Sequence, residues 1–313
     1  MNKKRYIVMM LMIVTVLTGC FKKASKVPIS QRKIKVVATT GMIADAVKVI
    51  AQNRVLVNAL MGPGVDPHLY QASAGDVTTL AAADIIFYHG LHLEAKMGDI
   101  LKKMAKRQKT VAVADQISTD KLLKSPDYDD LYDPHIWFNV ALWQEVVQVI
   151  RDELIALDPK SRNYYYRNTA RYLSELAQLH QNVHEQMKQI PEEKRILITA
   201  HDAFNYFSDT YGIRVVGLQG VSTESEASIK DVQRLVQVII KHNIPAIFVE
   251  TSTPKRNILA VKEAVRSQGQ QVDIGGELFA DALGDQGTVA GTYVGMINHN
   301  VKTILSGLTR GTY

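Results

Sequence analysis

The triplet Asp66-Pro67-His68, inside MGPGVDPHLY, returns as Asp133-Pro134-His135 inside LYDPHIWF. A proline fixes its own φ and keeps the residue before it out of the α region, so few backbone states lead up to either histidine. An imidazole held still in this way suits a metal ligand. A third candidate, His201, ends the apolar run ILITA, and Asp202 directly after it opens a helical stretch. For a carboxylate partner, Asp281 in GGELFADALGD stands beyond a strand, although Glu277 and Asp285 compete with it on sequence alone. Three imidazoles and one carboxylate, two groups from each half of the chain, would close a four-ligand shell. That donor set suits zinc and also admits manganese or iron(II). Asp66 and Asp133 are expected to accept the remaining ring N–H of the histidine that follows each of them.

The other histidines carry less. His180 and His184 stand four apart on a polar helix face, where a solvated pair is the simpler reading. His89, His92, His242 and His299 have no partner pattern and are assigned to packing or surface. Cys20 is the only cysteine, so a thiolate plays no part in the folded body.

The elements that must position these residues alternate. KVVATT, VLVNAL, DIIFYHG and TVAVA form a first set of strand candidates, and RILITA, IRVVGL, AIFVET and QVDIGG a second, with helical patterns between them. Strict alternation implies mainly parallel, four-stranded sheets covered by helices, hence two (β/α)4 domains of the α/β class. Between the sets, Ser161 to Ile190 lacks glycine and proline and is bracketed by Pro159 and Pro191. It is expected to form one long backbone helix joining domains at 35–158 and 192–313, the joining segment being 159–191. In open parallel sheets ligands bind beyond the carboxyl ends of strands, which is where His68, His201 and Asp281 fall.

The formal charge of +6 is not a nucleic-acid footprint, because it is concentrated at the start. Nine basic and no acidic residues precede position 36; removing them from the total of 37 leaves 28 against 31 acidic residues, a body near −3. Lys3, Lys4 and Arg5 lead into an apolar run that ends in Leu17-Thr18-Gly19-Cys20. This reads as a signal peptide over 1–19 and resembles a bacterial lipobox, with Cys20 carrying lipid and 20–34 serving as a tether. The protein is then expected to be exported and lipid-anchored on the outer face of the cytoplasmic membrane.

GPGVDPHLY, YHGLHLEAKM, DPHIWF, TAHDAFNYF, LQGVSTESEAS and GGELFADALGD, in this order, resemble the TroA-like metal-binding lipoproteins of bacterial ABC importers. The resemblance implies the two-domain fold and a metal ligand set falling on His68, His135, His201 and Asp281. It further implies a single zinc or manganese ion as cargo, with a permease and an ATPase as partners. Two departures bear on the metal. Zinc-dedicated members often carry a histidine-rich loop before the second histidine, but Leu122 to Asp133 is short and has none; manganese-dedicated members often have glutamate where this chain has His201. A monomer with no nucleic-acid partner is expected on the same reading.

Two other function classes compete. A mononuclear zinc hydrolase would use Glu224, Glu226 or Glu250 as base, but HExxH and GxSxG are both lacking and a four-ligand shell leaves no open position. A surface adhesin with a structural metal fits the lipid anchor equally well and would unfold on chelation.

Overall fold

The computed structural model describes residues 28–309, so the leader, Cys20 and most of the expected tether lie outside the described residues. Residues 28–32 contribute one 3₁₀ turn, Ile29–Gln31. A second unit starts at Lys33 and contains every other element below.

Its first half runs β1 (Ile34–Ala38), α1 (Gly41–Ala51), β2 (Val55–Ala59), α2 (Ala74–Ala82), β3 (Ile85–Tyr88), α3 (Gly98–Ala105) and β4 (Lys109–Ala112). The strands form one parallel sheet in the order β2-β1-β3-β4. Val36, Val37, Ile85, Ile86 and Phe87 in the central strands are buried on both faces, as helices on both sides of a sheet require. Edge strand β2 instead alternates, and Leu56 is exposed. The long loop after β2 ends at Ser73, whose hydroxyl accepts from the Asp76 amide while the Asp76 carboxylate accepts from the Ser73 amide. This reciprocal cap starts α2 and anchors the far end of the His68 loop.

α4 (Val140–Leu157) follows, its first amides accepted by the Asn139 side chain. A 3₁₀ turn at Pro159–Ser161 leads to α5 (Arg162–Met187), a straight run of 26 residues, about 39 Å at 1.5 Å per residue. Tyr165, Thr169, Tyr172, Leu176, Leu179, Val183 and Met187 recur every three or four residues and form its buried face. The helix stops three residues short of Ile190, where turn bonds take over ahead of Pro191. It packs on α1 and α4 and also on two later helices, α6 (Asn205–Tyr211) and α9 (Tyr293–Thr309).

The second half alternates similarly: β5 (Ile196–His201), α6, β6 (Arg214–Gln219), α7 (Ile229–His242), β7 (Ala246–Glu250), α8 (Lys255–Ser267), β8 (Asp273–Leu278) and α9. All its pairings are parallel, but the strands form two pairs, β5–β6 and β7–β8, where one four-stranded sheet was expected. The reason lies at the seam. β5 and β7 run side by side, yet the amides of Ala200 and His201 donate to Glu250 Oε1, at 2.8 and 3.2 Å. A side-chain carboxylate occupies the place of ladder bonds there. Gly217 in β6 keeps the neighbouring turn close, since a Cβ would lie 2.6 Å from the Asp202 amide nitrogen. None of the described helices is long and apolar enough to cross a membrane.

Candidate metal centre

Each half delivers two side chains to one point. His68 lies in the loop beyond β2, where Asp66 Oδ1 accepts from the His68 backbone amide at 2.9 Å and turns the chain. His135 is fixed more fully: Asp133 Oδ1 accepts from its backbone amide at 2.9 Å and from its ring Nδ1 at 2.7 Å. A carboxylate only accepts here, so Nδ1 carries the proton and Nε2 points inward. Asp133 is itself buried and held by Asn205, whose amide donates to Oδ2 at 3.0 Å, and by the Tyr206 hydroxyl, which donates to its carbonyl.

His201 is the last residue of β5, and its Nδ1 donates to Glu250 Oε2 at 2.5 Å. Asp281 follows β8 by three residues, with Oδ2 accepting from the Ser252 hydroxyl at 3.2 Å. Trp137 ties the second Asp-Pro-His loop to the Asp281 segment: its indole N–H donates to Ala280 O at 3.0 Å, and its carbonyl accepts from the Tyr293 hydroxyl at 2.7 Å. Its ring stands edge-on between His89 and His135, with centres 5.0 and 5.1 Å away.

One ligating atom from each of His68, His135, His201 and Asp281 lies within 4.8 Å of the other three, and all four residues are buried. Three separations are short: 3.3 Å between Nε2 of His68 and of His135, 3.4 Å from His135 Nε2 to Asp281 Oδ1, and 3.2 Å from His201 Nε2 to Asp281 Oδ2. A tetrahedral ion with bonds of about 2.0–2.1 Å sets its ligand atoms about 3.3 Å apart. His201 Nε2 and Asp281 Oδ1 are buried without a hydrogen-bond partner, although their ring and carboxylate mates are engaged. Buried polar atoms are normally satisfied, and a cation among these donors satisfies both. The residues therefore fit a metal ion.

The electrostatics divide the histidines. Burial pushes His68 down to about 3, so it is neutral and ready to donate a lone pair. Burial acts the same way on His135, but Asp133 and Asp281 outweigh it and hold the ring above its usual value. His201 is desolvated as well, and Glu250 with Asp281 raise it well above the ordinary range. Burial disfavours charge on Asp281, yet the two imidazoles keep its carboxyl well below the usual value.

The structure brings together the four residues singled out for ligation and leaves the competing carboxylates apart. Glu277 pairs with Lys255 at 2.7 Å, and Asp285 is exposed in a turn. Asp133 meets its ring as expected. Asp66 differs: its second oxygen accepts from the Thr223 hydroxyl at 2.6 Å, so the carboxylate braces the loop backbone against the other half in place of the expected ring contact. Residue patterns missed Glu250 as the partner of His201, considering it only as a base; a carboxylate closing an otherwise apolar buried strand is the signal that was there. They also left His89 as packing, whereas its Nε2 donates to the Pro134 carbonyl at 2.6 Å inside the second triplet. His180 and His184 are half-buried against Tyr211, with His180 Nδ1 at 3.0 Å from its hydroxyl.

The family described as "Zinc-uptake complex component A periplasmic" matches residues 36–307. The chain is 49% identical over 287 residues to the zinc-binding protein TroA of Treponema pallidum, covering 91% of this chain and 92% of that protein. The solved structure of that periplasmic zinc-binding protein superposes with a TM-score of 0.87 at 48% identity, over 89% of this chain and all of the other. The manganese-binding lipoprotein MntA of Bacillus subtilis is 42% identical over 292 residues, 93% of this chain and 95% of that one. The metal ABC transporter substrate-binding lipoprotein SloC of Streptococcus mutans is 31% identical over 308 residues, covering 96% and 98%. These are names of binding proteins and not of enzymes. The chain belongs to the zinc-uptake complex component A family, ZnuA, and shares the TroA fold.

Proposed function

We propose that this protein is the solute-binding component of an ABC importer, which captures one divalent zinc or manganese ion, or iron(II), between His68, His135, His201 and Asp281. The observation that carries the reading is the convergence of four buried ligating atoms within 4.8 Å of one another, with three separations of 3.2–3.4 Å among these side chains. A shell closed by four protein ligands holds an ion without leaving a position for a reacting water, which suits a carrier. The named relatives, one zinc-binding, one manganese-binding and one a substrate-binding lipoprotein of a metal ABC transporter, support the same role. Nitrogen and oxygen donors of this kind hold zinc more tightly than manganese, so supply outside the membrane decides which ion is carried.

Around that site, segments 35–158 and 192–313 act as the two metal-binding domains and 159–191 as their link. The carrier works as a monomer, tethered by lipid on Cys20 to the outer face of the cytoplasmic membrane, and passes its ion to a permease driven by an ATPase. Metal counting on chelator-stripped protein tests the core of this. One zinc or manganese ion per chain, bound reversibly without loss of fold and abolished by His68→Ala and by Asp281→Ala, is the expected result. Binding that survives both substitutions removes the site, and unfolding on chelation would make the ion structural, as in an adhesin.

A further inference from the structure

His68 faces two ways. Besides meeting the other ligands, it lines a cavity of about 90 Å³ together with His92, Ser125, Tyr128, Ser222 and Glu224. That is room for a cation with a few waters. The walls come from both halves of the chain, and they offer an imidazole, a carboxylate and hydroxyl oxygens. Such donors exchange readily with the waters of a hydrated zinc or manganese ion.

Two features make this wall specific. Leu91 and His92 hold left-handed backbone angles, φ 49° and 69°, which side-chain-bearing residues rarely adopt. The turn is held there by the Leu91 amide donating to Asp115 Oδ1 at 2.9 Å and the Gly90 amide donating to Glu94 Oε2 at 3.2 Å. Glu224, from the other half, is bridged back to the same segment by Lys96, whose Nζ lies 2.7 Å from Oε1. Both partners remain partly solvent-accessible, 43% and 30%, so the bridge is free to break and reform.

Building on the metal-capture reading, we propose that this cavity is the passage by which the ion reaches and leaves His68, with His92 and Glu224 as a transient outer site and Lys96 as its latch. When Lys96 releases Glu224, the free carboxylate draws in a hydrated cation. His92 replaces one water, and the ion then passes to the His68 nitrogen, shedding the remaining waters as the inner ligands close. Since His92 and Glu224 hold the ion only in transit, they set the rate of exchange and not the depth of the bound state.

Stopped-flow mixing of the stripped full-length protein with Mn²⁺ or Zn²⁺, followed by tryptophan fluorescence, separates the two. Trp137 is a suitable reporter, its ring centre lying 5.1 Å from that of His135. Glu224→Gln and His92→Asn are the variants, asparagine being chosen because it tolerates the left-handed backbone. Association and dissociation rates should both fall about ten-fold while the equilibrium Kd stays at the parental value; Lys96→Met should raise both rates. Parental rates in the Gln and Asn variants, with the parent binding its ion normally, would overturn the passage and leave the four-ligand site standing. A Kd that rises as much as the association rate falls would equally overturn it, by making these residues part of the bound state. A parent that takes up no ion at equilibrium overturns both this passage and the capture reading.

Discussion

His135 and His201 each commit Nδ1 to a carboxylate, Asp133 in one case and Glu250 in the other, and this leaves both Nε2 atoms aimed at Asp281. The carboxylates orient the rings and raise their basicity, so their loss acts on the metal through the histidine. Glu250→Gln should weaken binding by about 10–100-fold while stoichiometry is retained, measured by competition against a chelator of known affinity. The same carboxylates make binding depend on pH. His135 and His201 are held above their usual values, so the metal-free rings keep their second proton to higher pH than an ordinary imidazole, and the ion competes with that proton. Affinity should therefore rise with pH, and calorimetry in buffers of different ionisation enthalpy should show protons released on binding, fewer in Glu250→Gln. Buffer-independent heats would contradict this protonation scheme. The histidines that converge here stood out in the sequence because proline before them or a strand end behind them restricts the backbone locally. Glu250 was not, because its contact with His201 exists only once β5 and β7 are neighbours, and strand order is not a local property.

The elements show the same division between local and non-local information. Alternating β-branched and amphipathic runs revealed all eight strands, and the stretch without glycine or proline revealed α5, since both signals are carried by neighbouring residues. The break between β5–β6 and β7–β8 was hidden, because a carboxylate from one strand occupies the amides of the other. The half-buried state of His180 and His184 was hidden as well, depending on Tyr211 arriving from α6. Local signals can be tested apart from the site. Ser228 caps α7, its hydroxyl accepting from the Asp231 amide while Asp231 accepts from the Ser228 amide. Ser228→Ala should cost about 1 kcal/mol in denaturant unfolding while leaving metal affinity at the parental value. A matching loss of affinity would mean that this helix start also sets the site.

At the scale of the molecule, release of an ion from four buried ligands requires the two halves to part, and the question is how far. Direct bonds cross between them at many points: Trp137 to Ala280, Tyr293 to Trp137, Thr223 to Asp66, the Val221 amide to Asp127, and Asn205 and Tyr206 to Asp133. α5 packs on helices of both halves, so a wide opening would have to bend it or strip one of its buried ends. Wide opening thus costs many contacts at once. A small separation costs little, because an ångström added to the 3.4 Å between His135 Nε2 and Asp281 Oδ1, the one of the three short separations that spans the halves, already draws one pair of donors out of bonding range of an ion held by the other pair. Metal-free and metal-loaded protein should accordingly give nearly superimposable small-angle scattering curves, with radii of gyration agreeing to within about 1 Å. Hydrogen exchange should rise on metal removal in the loops carrying His68 and Asp281 and stay unchanged along α5. A large increase in the metal-free radius, or new exchange through the middle of α5, would show that the helix yields and that release proceeds by hinge opening instead of by loosening around a stiff spine.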